Sequence, residues 1–170
     1  MTGSPAATST VIRFRVNGYD REMLVPVRLT VAELLRDWLG LTGTKVSCEM
    51  QVCGACTVVV DGDPVSSCAA LACDLDGTEV LTVEGLARGR DLHPVQEAFM
   101  KANALQCGFC TPGFIMMAVA LLDACPDASE DEILEWMDGN LCRCTGYAPI
   151  ETAVTVAASR LTAATAADGR

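Results

Sequence analysis

Aromatic side chains are scarce in this sequence: two tryptophans, two tyrosines and four phenylalanines among 170 residues. A core has to be filled mainly by Val, Leu, Ala and Met. Basic residues are also few, twelve against twenty-two acidic, which leaves a formal charge of −10 and a pI near 4.4. That balance excludes a nucleic-acid surface, because no basic patch exists to neutralise phosphates. The longest apolar run, residues 114–122, has nine members, half of the roughly 18 that a transmembrane helix needs. The first residues, MTGSPAATST, show neither a basic start nor an apolar stretch. No secretory signal is therefore expected, and a cytoplasmic location is.

Cysteine is abundant where so much else is sparse. Ten cysteines in 170 residues approach the density of a disulfide scaffold. Such scaffolds are normally secreted and small, whereas no export signal is expected here and the chain is long enough for one ordinary domain or two small ones. Hydrophobic residues make up 51% and charged residues 20%, a globular composition that has little need of cross-links. Thiolates in a reducing compartment more often serve metals.

The local patterns divide the chain near residue 88. Residues 1–9 read as a flexible tail. Residues 10–16 alternate apolar and polar, Asn17-Gly18 is a hairpin turn, and 23–27 is the returning strand, with Pro26 suited to an edge. Thr30 is placed to cap a helix over 31–39, with Leu34, Leu35 and Trp38 on its apolar face and Gly40 at its end. Strands are expected at 57–60, 64–67 and 79–83, with Asp61-Gly62 as the turn between the first two. Beyond that the character is helical. Pro94 opens a helix over 95–104, Thr111-Pro112 opens one over 113–124, and Ser129 with Glu132 forms a capping box for 133–137, closed by Gly139. An Ala-rich helix over 149–164 ends the pattern. The expected organisation is α+β: residues 10–87 as a small mixed sheet packed on one helix, 88–165 as a helical domain, and 166–170 as a second flexible tail.

Eight cysteines form two spaced sets. Cys48, Cys53, Cys56 and Cys68 read C-x4-C-x2-C followed by a fourth at x11, the arrangement of plant-type [2Fe–2S] ferredoxins. Two irons sharing two sulfides need four thiolates close together, and a tight loop supplies three. Gly54 and Ala55 add little bulk, so backbone amides can approach the cluster sulfurs. A zinc site or a pair of disulfides is the alternative, although zinc ordinarily takes two short cysteine pairs. Cys107, Cys110, Cys142 and Cys144 read C-x2-C, then 31 residues, then C-x-C. Both pairs sit at helix junctions, where free amides and the positive end of a helix dipole suit an anionic cluster. This second spacing leaves zinc open.

Three motifs carry a family resemblance. Cys53-Gly54-Ala55-Cys56-Thr57-Val58, Gln106-Cys107-Gly108-Phe109-Cys110-Thr111-Pro112-Gly113 and Asn140-Leu141-Cys142-Arg143-Cys144-Thr145-Gly146-Tyr147 together resemble the iron–sulfur subunit of the molybdenum hydroxylases, the xanthine oxidase, aldehyde oxidoreductase and aerobic carbon monoxide dehydrogenase type. The resemblance spans residues 10–162. It implies an N-terminal β-grasp domain like plant ferredoxin holding one [2Fe–2S] cluster, and a C-terminal four-helix bundle holding a second. It further implies a large partner subunit carrying a molybdenum–pterin cofactor beside the C-terminal cluster, with Gln106 and the Cys144 sulfur touching the pterin. A medium partner subunit carrying FAD would receive electrons from the N-terminal cluster, the whole forming a heterotrimer or its dimer. A free-standing two-cluster carrier or sensor, and a structural zinc protein, are the readings from other classes.

One departure from the family is visible. Glu49-Met50-Gln51-Val52 stand in the first cysteine loop where members often have one or two glycines, so Gln51 is expected to restrict the backbone and alter which amides reach the cluster. Cys73 and Cys125 lie outside both sets and are expected as small buried hydrophobes. His93, the single histidine, is expected to cap or pack rather than catalyse. Arg143, between two set members, could raise a reduction potential or serve as a structural donor. No catalytic residue for substrate chemistry is expected on this chain.

Overall fold

A computed structural model describes residues 8–168 of the chain; residues 1–7 of the tail expected at 1–9 and residues 169–170 of the one expected at 166–170 lie outside the described residues. The first hairpin joins β1 (Ser9–Val16) to β2 (Tyr19–Pro26) in antiparallel register, Val16 facing Tyr19 and Ser9 facing Pro26. Asn17 (φ 51°) and Gly18 (φ 82°) both take left-handed backbone, as a turn matching the strands' right-handed twist demands. β2 is longer than its apolar pattern suggests because its polar residues pair along an edge.

Thr30 caps the next segment reciprocally: its side chain accepts from the Glu33 amide while the Glu33 carboxylate takes the Thr30 amide. The helix is not the regular one its spacing predicts. A single α-turn, α1 (Val31–Glu33), widens into a π-turn over Leu34–Trp38, with the Leu39 amide reaching back to the Leu34 carbonyl. The extra residue in that turn keeps Leu34 and Leu35 buried but carries Trp38 outward, to 45% exposure. Trp38 is therefore not a core residue.

Strands β3 (Thr57–Val60) and β4 (Asp63–Ser66) form a second hairpin, and β5 (Glu79–Leu81) lies between the hairpins. Among the described residues the sheet order is β2-β1-β5-β3-β4, with β1 and β5 parallel and every other pair antiparallel. The strand expected at 79–83 stops at Leu81 because Val83–Gly85 turns into a 3-10 helix. A second such turn, Ala72–Leu75, went unsignalled in the sequence.

The second half contains α2 (Pro94–Lys101), α3 (Thr111–Ala124), α4 (Glu130–Met137) and α5 (Ala148–Asp168). α3 is apolar on every side, and nine of its residues are buried. A helix of that kind belongs in the centre, and α2, α4, α5 and strand β3 all pack against it. One buried cluster lies between the sheet and α1, with Ile12, Phe14, Val25, Leu34, Leu35 and Val80. The other surrounds α3 and takes in Phe99, Phe114, Leu121, Ile150 and, from the sheet, Val59. Burying a side chain such as Phe99 or Phe114 contributes roughly 1.5–3 kcal/mol. No described helix is long and apolar enough to cross a membrane.

Candidate metal centres

The loop from Cys48 to Cys56 connects the π-turned helix to β3, and its backbone is unusual. Glu49 (φ 55°) and Gln51 (φ 61°) both adopt left-handed conformation, as does Gly54 (φ 65°). Alternating left-handed residues turn successive amides toward one side, the geometry of an anion-binding nest. The Val52 and Cys53 amides point at the Cys48 sulfur, each at 3.4 Å. These amides and that of Met50 hold the Cys48 thiol well down, to about 6, with the Cys53 thiol donating to it as well. Gln51 takes this left-handed backbone with its side chain in place. Its own amide reaches the Cys68 sulfur.

Cys68 sits just after β4, half-buried. Burial pushes its thiol up against the Gln51 amide, and the Cys56 thiol paired with it pushes the same way. Cys56 is buried, its carbonyl accepting the Ser67 hydroxyl at 2.6 Å. The first set is thus gathered as two thiol pairs, Cys48 with Cys53 and Cys56 with Cys68.

The second set is gathered by helix ends. Cys107 and Cys110 precede α3, and Cys142 and Cys144 follow α4. Burial raises the Cys110 thiol to about 12, with its donation to Cys142 adding to the rise. Burial also pushes Cys142 up, but the Thr145 hydroxyl, 3.1 Å from its sulfur, and the Thr145 amide, at 3.4 Å, leave it lowered. Cys144 pairs with Cys107, which raises the Cys144 thiol, and both are exposed. Here too the thiols meet two by two, Cys110 with Cys142 and Cys107 with Cys144.

All ten cysteines are free thiols. Among the described residues, no three histidine, cysteine or acidic side chains close around a point where one metal ion would sit. Two thiol pairs lying side by side, under donated amides, are instead what a two-iron rhomb asks of a protein, two thiolates to each iron. A buried hydroxyl without a partner, Thr111 Oγ1, lies next to Cys110, a donor that an anionic sulfur cluster would satisfy.

The remaining expected residues fall as follows. Gln106 is exposed, one residue before Cys107. Arg143 is exposed between Cys142 and Cys144. His93 caps α2, its Nδ1 accepting the Val95 amide at 3.3 Å while Gln96 Oε1 accepts the His93 amide. Neither Cys73 nor Cys125 is fully buried. Cys73 is half-buried near the Val27 carbonyl at 3.7 Å, and Cys125 packs partly against the α3 core.

Several supporting residues had no sequence signal beyond their place beside the cysteines. Thr145 donates to Cys142, and the Tyr147 hydroxyl accepts the Cys142 amide at 3.0 Å. Asn140, 1% exposed, donates its side-chain amide to the Gly54 carbonyl at 3.0 Å. That partner lies 86 residues away in sequence, so only folding brings the two together.

Comparison with known proteins agrees with this geometry. Residues 14–84 match the family model of the 2Fe-2S iron-sulfur cluster binding domain, and residues 82–155 that of the [2Fe-2S] binding domain. The chain is 49% identical over 154 residues to the nicotine 6-hydroxylase small subunit of Paenarthrobacter nicotinovorans, covering 91% of this chain and 93% of the relative. It is 44% identical over 149 residues to the nicotinate dehydrogenase small FeS subunit of Eubacterium barkeri, with coverages of 88% and 95%. A chain in the crystal structure of quinoline 2-oxidoreductase from Pseudomonas putida 86 superposes with a TM-score of 0.87 at 43% identity, covering 92% of this chain and 98% of that one.

Proposed function

Because the chain belongs to the family of small iron–sulfur subunits of the molybdenum hydroxylases, we propose that its eight motif cysteines hold the two [2Fe–2S] clusters of an electron relay. The protein is an electron-transferring subunit of a multi-subunit oxidoreductase, with two 2Fe–2S domains on this chain and larger partners beside it. Cys48, Cys53, Cys56 and Cys68 hold one cluster, and Cys107, Cys110, Cys142 and Cys144 hold the other. When bound, each cluster accepts and passes one electron at a time. The chain contributes amide donors, burial and placement, and no acid, base or nucleophile for substrate chemistry.

The observation that carries the assignment is that a sulfur of each set is met by donors from its own loop, Cys48 by the Val52 and Cys53 amides at 3.4 Å and Cys142 by the Thr145 hydroxyl and amide at 3.1 and 3.4 Å. The strand order with a parallel β1–β5 pair supports a β-grasp domain over residues 10–87. The packing of α2 to α5 around one apolar helix supports a four-helix bundle over 88–165. The exposed Cys107–Cys144 edge, with Gln106 beside it, is the side suited to the pterin of a molybdenum-carrying large subunit. The first set then passes electrons to FAD on a medium subunit, in a cytoplasmic heterotrimer or its dimer.

Metal analysis of the purified complex tests this reading. It requires about four iron and four acid-labile sulfide per chain, with two distinct paramagnetic signals on reduction. Cys56→Ser should remove one signal and Cys110→Ser the other. Two zinc ions in an iron-free chain would overturn the assignment. Isolation of the chain without large and medium subunits would favour a free-standing carrier or sensor.

A further inference from the structure

Three buried residues spend their hydroxyls on oxygen acceptors. Thr57 donates to the Gly54 carbonyl at 2.7 Å, Ser67 to the Cys56 carbonyl at 2.6 Å and Thr82 to the Glu84 carboxylate at 2.6 Å. Thr111 Oγ1 is buried as well, but it has no partner among the described residues. Leaving a buried hydroxyl unpaired costs about 1–3 kcal/mol, and native proteins rarely do so.

Thr111 opens α3 directly after Cys110, and no side chain caps that helix end. The other buried side-chain atom without a partner, Asn140 Oδ1, is an acceptor, and the two are not bonded to each other. Beside the hydroxyl lies the inner half of the second set. Cys110 is half-buried and paired with buried Cys142, whereas Cys107 and Cys144 face outward. Cys142 already receives one hydroxyl, that of Thr145, at 3.1 Å. Thr145 Oγ1 accepts the Tyr147 amide at 3.2 Å, which fixes the oxygen and leaves its proton for sulfur.

We propose that the Thr111 hydroxyl donates to the cluster held by Cys107, Cys110, Cys142 and Cys144 and, together with Thr145, raises that cluster's reduction potential. This rests on the reading that the second set holds a [2Fe–2S] cluster. Reduction adds one electron, taken from the redox partner, while the proton stays on Thr111 Oγ1, so no bond forms or breaks. The reduced cluster is the more negative, and a donor stabilises it more than the oxidised form. Burial of the inner pair strengthens the effect, because a hydrogen bond counts for more where the local dielectric is low. The two sites are then tuned by different means. Backbone amides of Val52 and Cys53 serve the first, and no side-chain substitution removes them. The second relies on two side-chain hydroxyls and is retuned by a single replacement.

The experiment compares the wild-type complex with complexes carrying Thr111→Val, which keeps the branched shape and drops the hydroxyl, and Thr111→Ser, which keeps the hydroxyl. A redox titration followed by electron paramagnetic resonance reads both clusters in one sample. Valine should move the second cluster's reduction equilibrium toward the oxidised form by about tenfold, a midpoint lower by about 59 mV for one electron. The first cluster should not move, the iron content should hold, and serine should restore the wild-type potential. A merely structural role for Thr111 would cost stability or iron without that selective shift. An unchanged second potential in a loaded valine variant, an equal shift of both clusters, or a serine variant as low as valine would overturn the inference. If the valine chain does not load its second cluster, Thr111→Ala, which removes the hydroxyl without adding bulk, carries the test with the same outcomes. A wild-type chain lacking about four irons defeats the ligand assignment instead, so the two failures are distinguishable.

Discussion

The Tyr147 hydroxyl accepts the backbone amide of Cys142 at 3.0 Å, while the tyrosine ring meets Phe114 edge-on with centroids 6.3 Å apart. A residue in left-handed backbone, φ 69°, thus ties the second cysteine pair to the central helix. Tyr147→Phe keeps the ring contact and removes the acceptor. An amide left without its partner costs about 1–3 kcal/mol. The variant should melt earlier by that amount and lose the second cluster's spectral signal first, as read by thermal unfolding followed at the visible absorbance.

Gln51 offers a sharper test of the first loop. Its φ of 61° suits glycine, which should load iron as well as the natural residue or better. A β-branched residue resists that backbone, where even an ordinary side chain costs roughly 1–2 kcal/mol. Gln51→Val should therefore lose the first cluster's signal selectively and Gln51→Gly should not. Equal iron contents in the two variants would contradict the amide nest.

Gly113 is expected to be intolerant of any side chain. Its Cβ would strike the Gly54 carbonyl and lie 3.1 Å from the Ala55 Cα, both backbone atoms that cannot swing aside. Gly113→Ala should destabilise the chain by about 1–3 kcal/mol, as overpacking does. Chemical denaturation should register it as a lower midpoint with an unchanged slope.

His93 makes stability dependent on pH in a definite direction. Burial holds its imidazole below the usual histidine value; Asp123 opposes the shift and Arg88 adds to it. The unfolded chain consequently takes up a proton before the folded one does. Stability contributed by the neutral ring is complete above about pH 6.5 and is lost as the pH falls from there through the lower folded value, where protonation removes the Nδ1 acceptor from the Val95 amide. Asn can cap without titrating. His93→Asn should flatten this part of the profile of melting temperature between about pH 7 and pH 5, and a profile identical to wild type would count against the cap.

Much of this protein is decided within a few residues of sequence. Asn17-Gly18 and Asp61-Gly62 make their turns, and Thr30 and Ser129 cap their helices, through atoms three or fewer residues apart. The two cysteine spacings and the motifs around them carried the family and the [2Fe–2S] chemistry for the same reason, since a loop that wraps a cluster needs its thiolates at fixed short intervals. Folding decided the rest. Trp38 points outward because a π-turn inserts one residue that apolar spacing does not reveal. Glu49 and Gln51 take glycine-like backbone because the loop must aim its amides at sulfur. Cys107 pairs with Cys144 only when α3 and α4 pack together, and Asn140 meets Gly54 only when a sheet and a helical core close on each other; which partners meet across such separations leaves no local pattern to read.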